Sequence, residues 1–119
     1  MKIGYIEDKQ NRFVYLKEMF KNYHREVIRI KSYDQITDDF DIIYINVHTF
    51  MGNGFEIANV VKKIKSNIKA ILISSMQLPE IQYNVAYQQK TVDMFIVEPI
   101  TEIAMQMSLS LLIKEYRYA

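Results

Sequence analysis

The stretch DIIYINVHTFMGNGFE, Asp41 to Glu56, decides the fold. After Asp41 come Ile42, Ile43, Tyr44 and Ile45, an unbroken apolar run rich in β-branched and aromatic residues. Such a run reads as a strand buried on both faces. It stops at Asn46. Eight residues further on, Gly54 opens a helical pattern, with Asn53 as N-cap and Glu56 three residues after the cap. A buried parallel strand therefore spills into a loop that feeds a helix. In open α/β sheets, ligands and chemistry gather beyond the carboxyl ends of such strands. Asn46 stands at that edge.

The chain has 119 residues, enough for a single domain, residues 1–119, around one core. Half of the residues are hydrophobic, 24% are charged and the formal net charge is +1, an ordinary globular balance. That charge gives no electrostatic case for nucleic acid or acidic membranes. There is no cysteine, which excludes disulfides and thiol chemistry. No apolar run reaches the roughly 18 residues of a membrane span, and MKIGYIED lacks a signal-peptide core. The expectation is a cytoplasmic protein with no membrane contact.

From the N-terminus, Lys2 to Glu7 reads as a first strand, with Glu7 and Asp8 at its carboxyl end and Asp8 placed to cap the next helix. That helix runs from about Lys9 to Tyr23, with Phe13, Leu16, Phe20 and Tyr23 on one stripe. Val27, Ile28 and Ile30 mark a second strand. Between Ser32 and Phe40 only a turn or two of helix fits, near Tyr33 to Thr37. The third helix, Gly54 to about Ser66, turns Ile57, Ala58, Val61 and Ile64 inward. Its Lys62, Lys63 and Lys65 read as a solvated face near the C-terminus, where the macrodipole favours cations. Ala70 to Ile73 is a fourth strand ending at Ser74. Pro79 to Lys90 reads as a fourth helix, Val92 to Val97 as a fifth strand closed by Glu98-Pro99, and Thr101 caps a last helix reaching about Tyr118. Strands alternating with helices imply a parallel sheet covered on both faces.

Glu7-Asp8, Asn46, Ser74 and Glu98-Pro99 thus converge on one rim. Their order and spacing resemble the response-regulator receiver domain, the CheY-like family, over essentially the whole chain. The acidic pair, the residue ending the third strand, Gly54, the hydroxyl at Ser74, the aromatic Phe95 and the X-Pro pair all fall in register. The resemblance implies a flavodoxin-like, doubly wound, five-stranded parallel sheet of order 2-1-3-4-5, with helices on both faces and a short second helix. It also implies two-component or phosphorelay signalling without enzymatic activity of its own.

Two departures stand out. The family carries an Asp where this chain has Asn46, and a Lys where it has Glu98. A carboxylate attacks a phosphoryl donor; an amide oxygen is neutral and its nitrogen lone pair is delocalised. Glu98 reverses a charge that would pair with the phosphoryl group. Glu7, Asp8, Asn46, Ser74, Phe95 and Glu98 therefore read as a degenerate phosphorylation pocket, with no catalytic residue. By the resemblance, Mg²⁺ would be held by Glu7, Asp8, Asn46 and the carbonyl of His48. Weak Mg²⁺ or Ca²⁺ binding by these oxygens stays open. So does protonation of one crowded carboxylate, or an amide hydrogen bond from Asn46 to Asp8 or Glu98. Phe95, the family's switch aromatic, reads here as an ordinary packed ring. His24 and His48 have no metal-ligand spacing, and Gly52-Asn53-Gly54 is a turn and not a phosphate loop.

The last helix is too apolar for one buried face. Ile100, Ile103, Met107 and Leu111 form one stripe, read as covering the sheet. Met105, Leu109, Leu112 and Tyr116 form another, read as exposed beside Tyr83 and Tyr87 of the fourth helix. The expected partner is a second copy, meeting through the fourth helix, fifth strand and fifth helix. A DNA-binding output domain or another protein is the further expected partner, with no nucleic acid touched directly. The leading expectation is a phosphorylation-independent receiver-like module of transcriptional signalling. A metal- or small-ligand-binding domain and a still-active phosphorelay receiver are the alternatives.

Overall fold

The computed structural model describes residues 1–75 and 91–118. Strand β1 (Ile3–Ile6) leads to helix α1 (Gln10–Lys21), then β2 (Val27–Arg29), one 3-10 turn (Tyr33–Gln35) and β3 (Ile42–Asn46). A small hairpin, β4 (His48–Thr49) and β5 (Gly52–Asn53), precedes α2 (Gly54–Ile64) and β6 (Lys69–Ser74). Strand β7 (Met94–Val97) and helix α3 (Glu102–Tyr118) follow. The main sheet is parallel, in the order β2-β1-β3-β6-β7, which is the expected 2-1-3-4-5 once the hairpin is set aside. The expected helix at Pro79 to Lys90, with Tyr83 and Tyr87, lies outside the described residues, as does the side chain of Tyr116.

Strand β3 is central and buried at every position. Alternation along the strands divides its side chains between two apolar layers. Ile43, Ile45 and Val47 pack with Ile57, Ala58 and Val61 of α2, and with Ile36 and Phe40 beyond the 3-10 turn. Ile42 and Tyr44 pack with Phe13, Leu16 and Phe20 of α1 and with Met105 and Leu112 of α3. Each fully buried Ile contributes about 1.5–3 kcal/mol by leaving water.

Helix α2 starts as expected: the Asn53 side chain accepts the Phe55 N–H at 2.8 Å. The hydroxyl of Thr101 likewise accepts the Ala104 N–H at 3.1 Å. Among the described residues no helix is long and apolar enough to cross a membrane.

Four expectations need correction. Asp8 does not cap α1; Lys9 is the N-cap residue, without a side-chain bond, because Asp8 is engaged elsewhere. Ile64 is exposed, since the core contact of α2 ends at Val61. Lys62 is not solvated: its ammonium lies 2.6 Å from both Asp93 Oδ2 and the Ile68 carbonyl, tying the end of α2 to the entries of β6 and β7. The two stripes of the last helix are also partly exchanged, although Ile100 and Leu111 lie on the core layer as expected. Met105 is 0% and Leu112 6% exposed, and Leu109 packs on the same layer, whereas Ile103 is 71% and Met107 56% exposed.

The reason for that exchange is Ser108. It is completely buried between Met105 and Leu112, and its Oγ lies 2.5 Å from the Tyr44 hydroxyl. Ser108 donates its own proton to the Met105 carbonyl at 2.6 Å, so Tyr44 donates to Ser108. A buried phenol needs a partner, and satisfying it turns the polar residue inward with its neighbours at helical spacing.

Gly54 packs too closely on β3 for a side chain. A Cβ there would lie 2.9 Å from the Val47 Cα, 3.0 Å from the Asn46 carbonyl oxygen and 3.0 Å from Leu72 Cδ2. Two of these are backbone atoms that cannot yield without shifting Asn46. Gly54→Ala is therefore expected to cost about 1–3 kcal/mol, read as a lower urea midpoint at unchanged slope.

Candidate functional site

Strand register brings the rim together. Ile6 pairs with Ile45, so Glu7 follows level with Asn46. Asn46 pairs with Ile73, and Ser74 with Val97, so Ser74 and Glu98 follow on the neighbouring strands. The Glu98 N–H donates to the Ser74 carbonyl at 2.8 Å, and the Glu98–Pro99 peptide is cis. Glu7, Asn46 and Ser74 are all buried.

Both ends of the Asn46 amide are engaged. Its Oδ1 accepts the backbone N–H of His48 at 3.0 Å, and its Nδ2 makes a long contact of 3.5 Å with Glu98 Oε1. The amide hydrogen bond to Glu98 is one of the arrangements expected from the sequence. The His48 side chain is exposed and only its backbone meets the site. Phe95 is half-buried and packs with Phe55, ring centroids 6.0 Å apart, on the α2 side of the sheet.

The acidic pair splits. Glu7 is buried: its Oε1 accepts the Lys9 N–H at 3.4 Å, and its Oε2 has no partner among the described residues. Asp8 is exposed, and its Oδ2 accepts the Phe50 N–H at 2.8 Å, anchoring the β4–β5 loop. Among the described residues, no three His, Asp or Glu side chains are grouped so as to hold a metal ion. Of the expected cation ligands Glu7, Asp8, Asn46 and His48, Asp8 Oδ2 and Asn46 Oδ1 each already accept a backbone N–H.

Sequence reasoning missed two arginines. Arg12, in the first turns of α1, lies 3.7 Å from Glu7 Oε1 through Nη1 and 3.6 Å from Glu98 Oε2 through Nε. Arg29, on β2, donates to the Glu7 carbonyl at 3.2 Å, to the Asp8 carbonyl at 2.6 Å and to Gln10 Oε1, and stacks over Phe13. A signal for Arg12 existed. A cation near a helix N-terminus opposes the macrodipole, and α1 has no acid in its first turn to offset it. Acids from elsewhere must do so. Beside this cluster runs a groove of about 330 Å³ lined by Tyr5, Asn11, Arg12, Tyr15, Glu98, Pro99 and Ile100.

Burial pushes the Glu7 carboxyl above its ordinary range. The Lys9 N–H and the Arg12 guanidinium pull it back in part, while Glu98 and Asp8 push it further up. Glu7 thus binds its proton more tightly in the folded chain than in the unfolded one. Its contribution to stability is fully present below the unfolded pKa, roughly 4.3, and is lost as pH rises through the higher folded pKa. Glu7→Gln should therefore gain stability relative to the wild type as pH rises from about 4 towards neutrality. Urea unfolding across that range measures it, and parallel curves for the two proteins would contradict the assignment.

No protein-family model matches the sequence, and no curated protein does. Solved structures match in fold. The CheY-like receiver domain protein from Methanospirillum hungatei JF-1 aligns with a TM-score of 0.84 at 14% identity, over 99% of this chain and 98% of that one. The receiver domain protein from Clostridium thermocellum aligns at 0.80 and 15% identity, over 98% and 96%. DrrB, a Thermotoga maritima response regulator and OmpR/PhoB homologue, aligns at 0.76 and 14% identity, over 97% of this chain but 53% of that one. This chain therefore has the flavodoxin-like fold of CheY-like receiver domains.

Proposed function

We propose that the chain is a response-regulator receiver-like module, cytoplasmic and non-enzymatic, that signals through protein contacts without being phosphorylated. The observation that carries this reading is the state of Asn46. It stands at the carboxyl end of the central strand as an amide, bonded through its oxygen to His48 and facing the Glu98 carboxylate. The amide offers no anionic oxygen to a phosphoryl donor. Glu98 would repel an arriving phosphoryl group, by roughly 4 kcal/mol per unit charge at about 4 Å and an effective dielectric near 20. Incubation with acetyl phosphate and Mg²⁺, followed by intact-mass analysis, is expected to leave the protein unmodified. A phosphoryl adduct mapped to Asn46 would restore the active-phosphorelay alternative.

The groove beside Arg12 favours the small-ligand alternative, since apolar and aromatic walls there meet a few polar groups. A calorimetric screen of small metabolites separates the two. The match to about half of DrrB supports an output domain or a separate protein as the receiver of the signal, with DNA binding lying in that partner.

The contacts include a second copy of the chain. On α3, Ile103 and Met107 lie one turn apart and are both largely exposed, and exposed Met and Ile on one helix stripe suit an interface better than water. They take the place of Met105 and Leu112 in the expected dimer face. Ile103→Glu with Met107→Glu should convert the dimer to monomer in sedimentation equilibrium while leaving the unfolding midpoint nearly unchanged, because neither side chain is in the core. A wild type that stays monomeric at high micromolar concentration would exclude this face.

A further inference from the structure

We infer that Arg12 is a cation built into the rim, and that its guanidinium takes the place a divalent metal would need. The inference goes beyond the proposed function, because it concerns what holds the rim together and not whether Asn46 accepts a phosphoryl group.

Arg12 sits between two carboxylates that lie 91 positions apart in the chain, Glu7 and Glu98. Its contacts, 3.7 and 3.6 Å, are too long for strong hydrogen bonds, so it acts as a charge shared by two acids. Both acids need it. The Glu7 side chain is 2% exposed and Glu98 21% exposed, and a carboxylate removed from water is costly without a counter-charge. The position of Arg12 near the start of α1, against the helix dipole, is offset by the same two acids.

Several of the oxygens a metal would require already accept hydrogen bonds. Mg²⁺ asks for near-octahedral oxygen ligands and Ca²⁺ for six to eight. Asp8 turns its Oδ2 to the Phe50 N–H, and Asn46 turns its Oδ1 to the His48 N–H. Arg29 grips the carbonyls of Glu7 and Asp8, which holds the acidic loop in this conformation. The buried Glu7 Oε2 has no hydrogen-bond partner among the described residues. Removal of Arg12 would leave Glu7 and Glu98 facing one another with that oxygen free. The arrangement would then attract an external cation.

Thermal unfolding of the wild type, Arg12→Ala and Arg12→Lys in NaCl, MgCl₂ and CaCl₂ at matched ionic strength tests this. The wild type is expected to melt at the same temperature in all three salts. Arg12→Ala should melt about 4–8 °C lower in NaCl and recover much of that in CaCl₂. Arg12→Lys, which keeps the charge, should fall between them and respond less to calcium. A divalent-specific rise in the wild type would overturn the inference. So would an alanine variant that melts with the wild type in NaCl. An alanine variant equally low in all three salts and not restored by lysine would assign Arg12 to packing, and would overturn it too. Should Arg12→Ala fail to fold, calorimetric titration of the wild type with Mg²⁺ and Ca²⁺ decides: no binding heat upholds the inference, a saturable heat defeats it. A phosphoryl adduct at Asn46 would sink the proposed function and leave these salt results standing.

Discussion

Strand β3 has no wet face, and that constraint orders the rest of the molecule. Hydrogen-bonded to β1 on one side and β6 on the other, it must offer apolar side chains alternately to two layers. A slip of one residue would exchange those layers and send Tyr44 away from Ser108. The strand can therefore turn polar only where it leaves the sheet, which is at Asn46. Flanking strands held in register end at the same level, so Glu7, Ser74 and Glu98 arrive around the amide. The site is a by-product of where a fully buried strand is permitted to stop.

At that level charge is arranged unusually for a carboxylate-rich rim. Glu7 and Glu98 meet a guanidinium from α1, Asp8 serves a backbone N–H of the β4–β5 loop, and Arg29 holds the loop between β1 and α1 from behind. The donors come from the chain itself. Rims of this composition repel one another unless something positive intervenes. Here it comes from long side chains anchored on a helix and an edge strand.

The apolar framework was legible in the sequence because it is periodic. The run from Ile42 to Ile45, the stripe Phe13–Leu16–Phe20 and the Asn53 cap each follow a local rule, and the strand ends located Glu7, Asn46, Ser74 and Glu98. What was not legible depends on partners distant along the chain. Lys62 reads as solvated until Asp93 is placed beside the end of α2. Arg12 and Arg29 reach acids and carbonyls on other elements, and no local period records where a long flexible side chain points. Asp8 looked like a helix cap because capping is a local rule, yet a loop 42 residues away won its carboxylate. Ser108 broke the reading of the last helix, since counting apolar residues passes over a serine whose burial is required by a tyrosine in the opposite layer. The β4–β5 hairpin has strands of two residues each, too short for any pattern.

The Tyr44–Ser108 pair has a consequence for how α3 can move. Greasy surfaces glide over each other at small cost, because one methyl contact replaces another. A phenol and a serine meeting in a dry layer do not permit that. Rotation of the helix by a single position would strand the Tyr44 hydroxyl away from water, at about 1–3 kcal/mol for the orphaned group, while Ser108 kept its bond to the Met105 carbonyl of its own helix. The pair works as a locating pin. It fixes the azimuth of α3, and with it the direction in which Ile103 and Met107 look outward, to a strand whose last residue is Asn46. A partner that reads that helix face thereby reads an orientation indexed to the centre of the sheet.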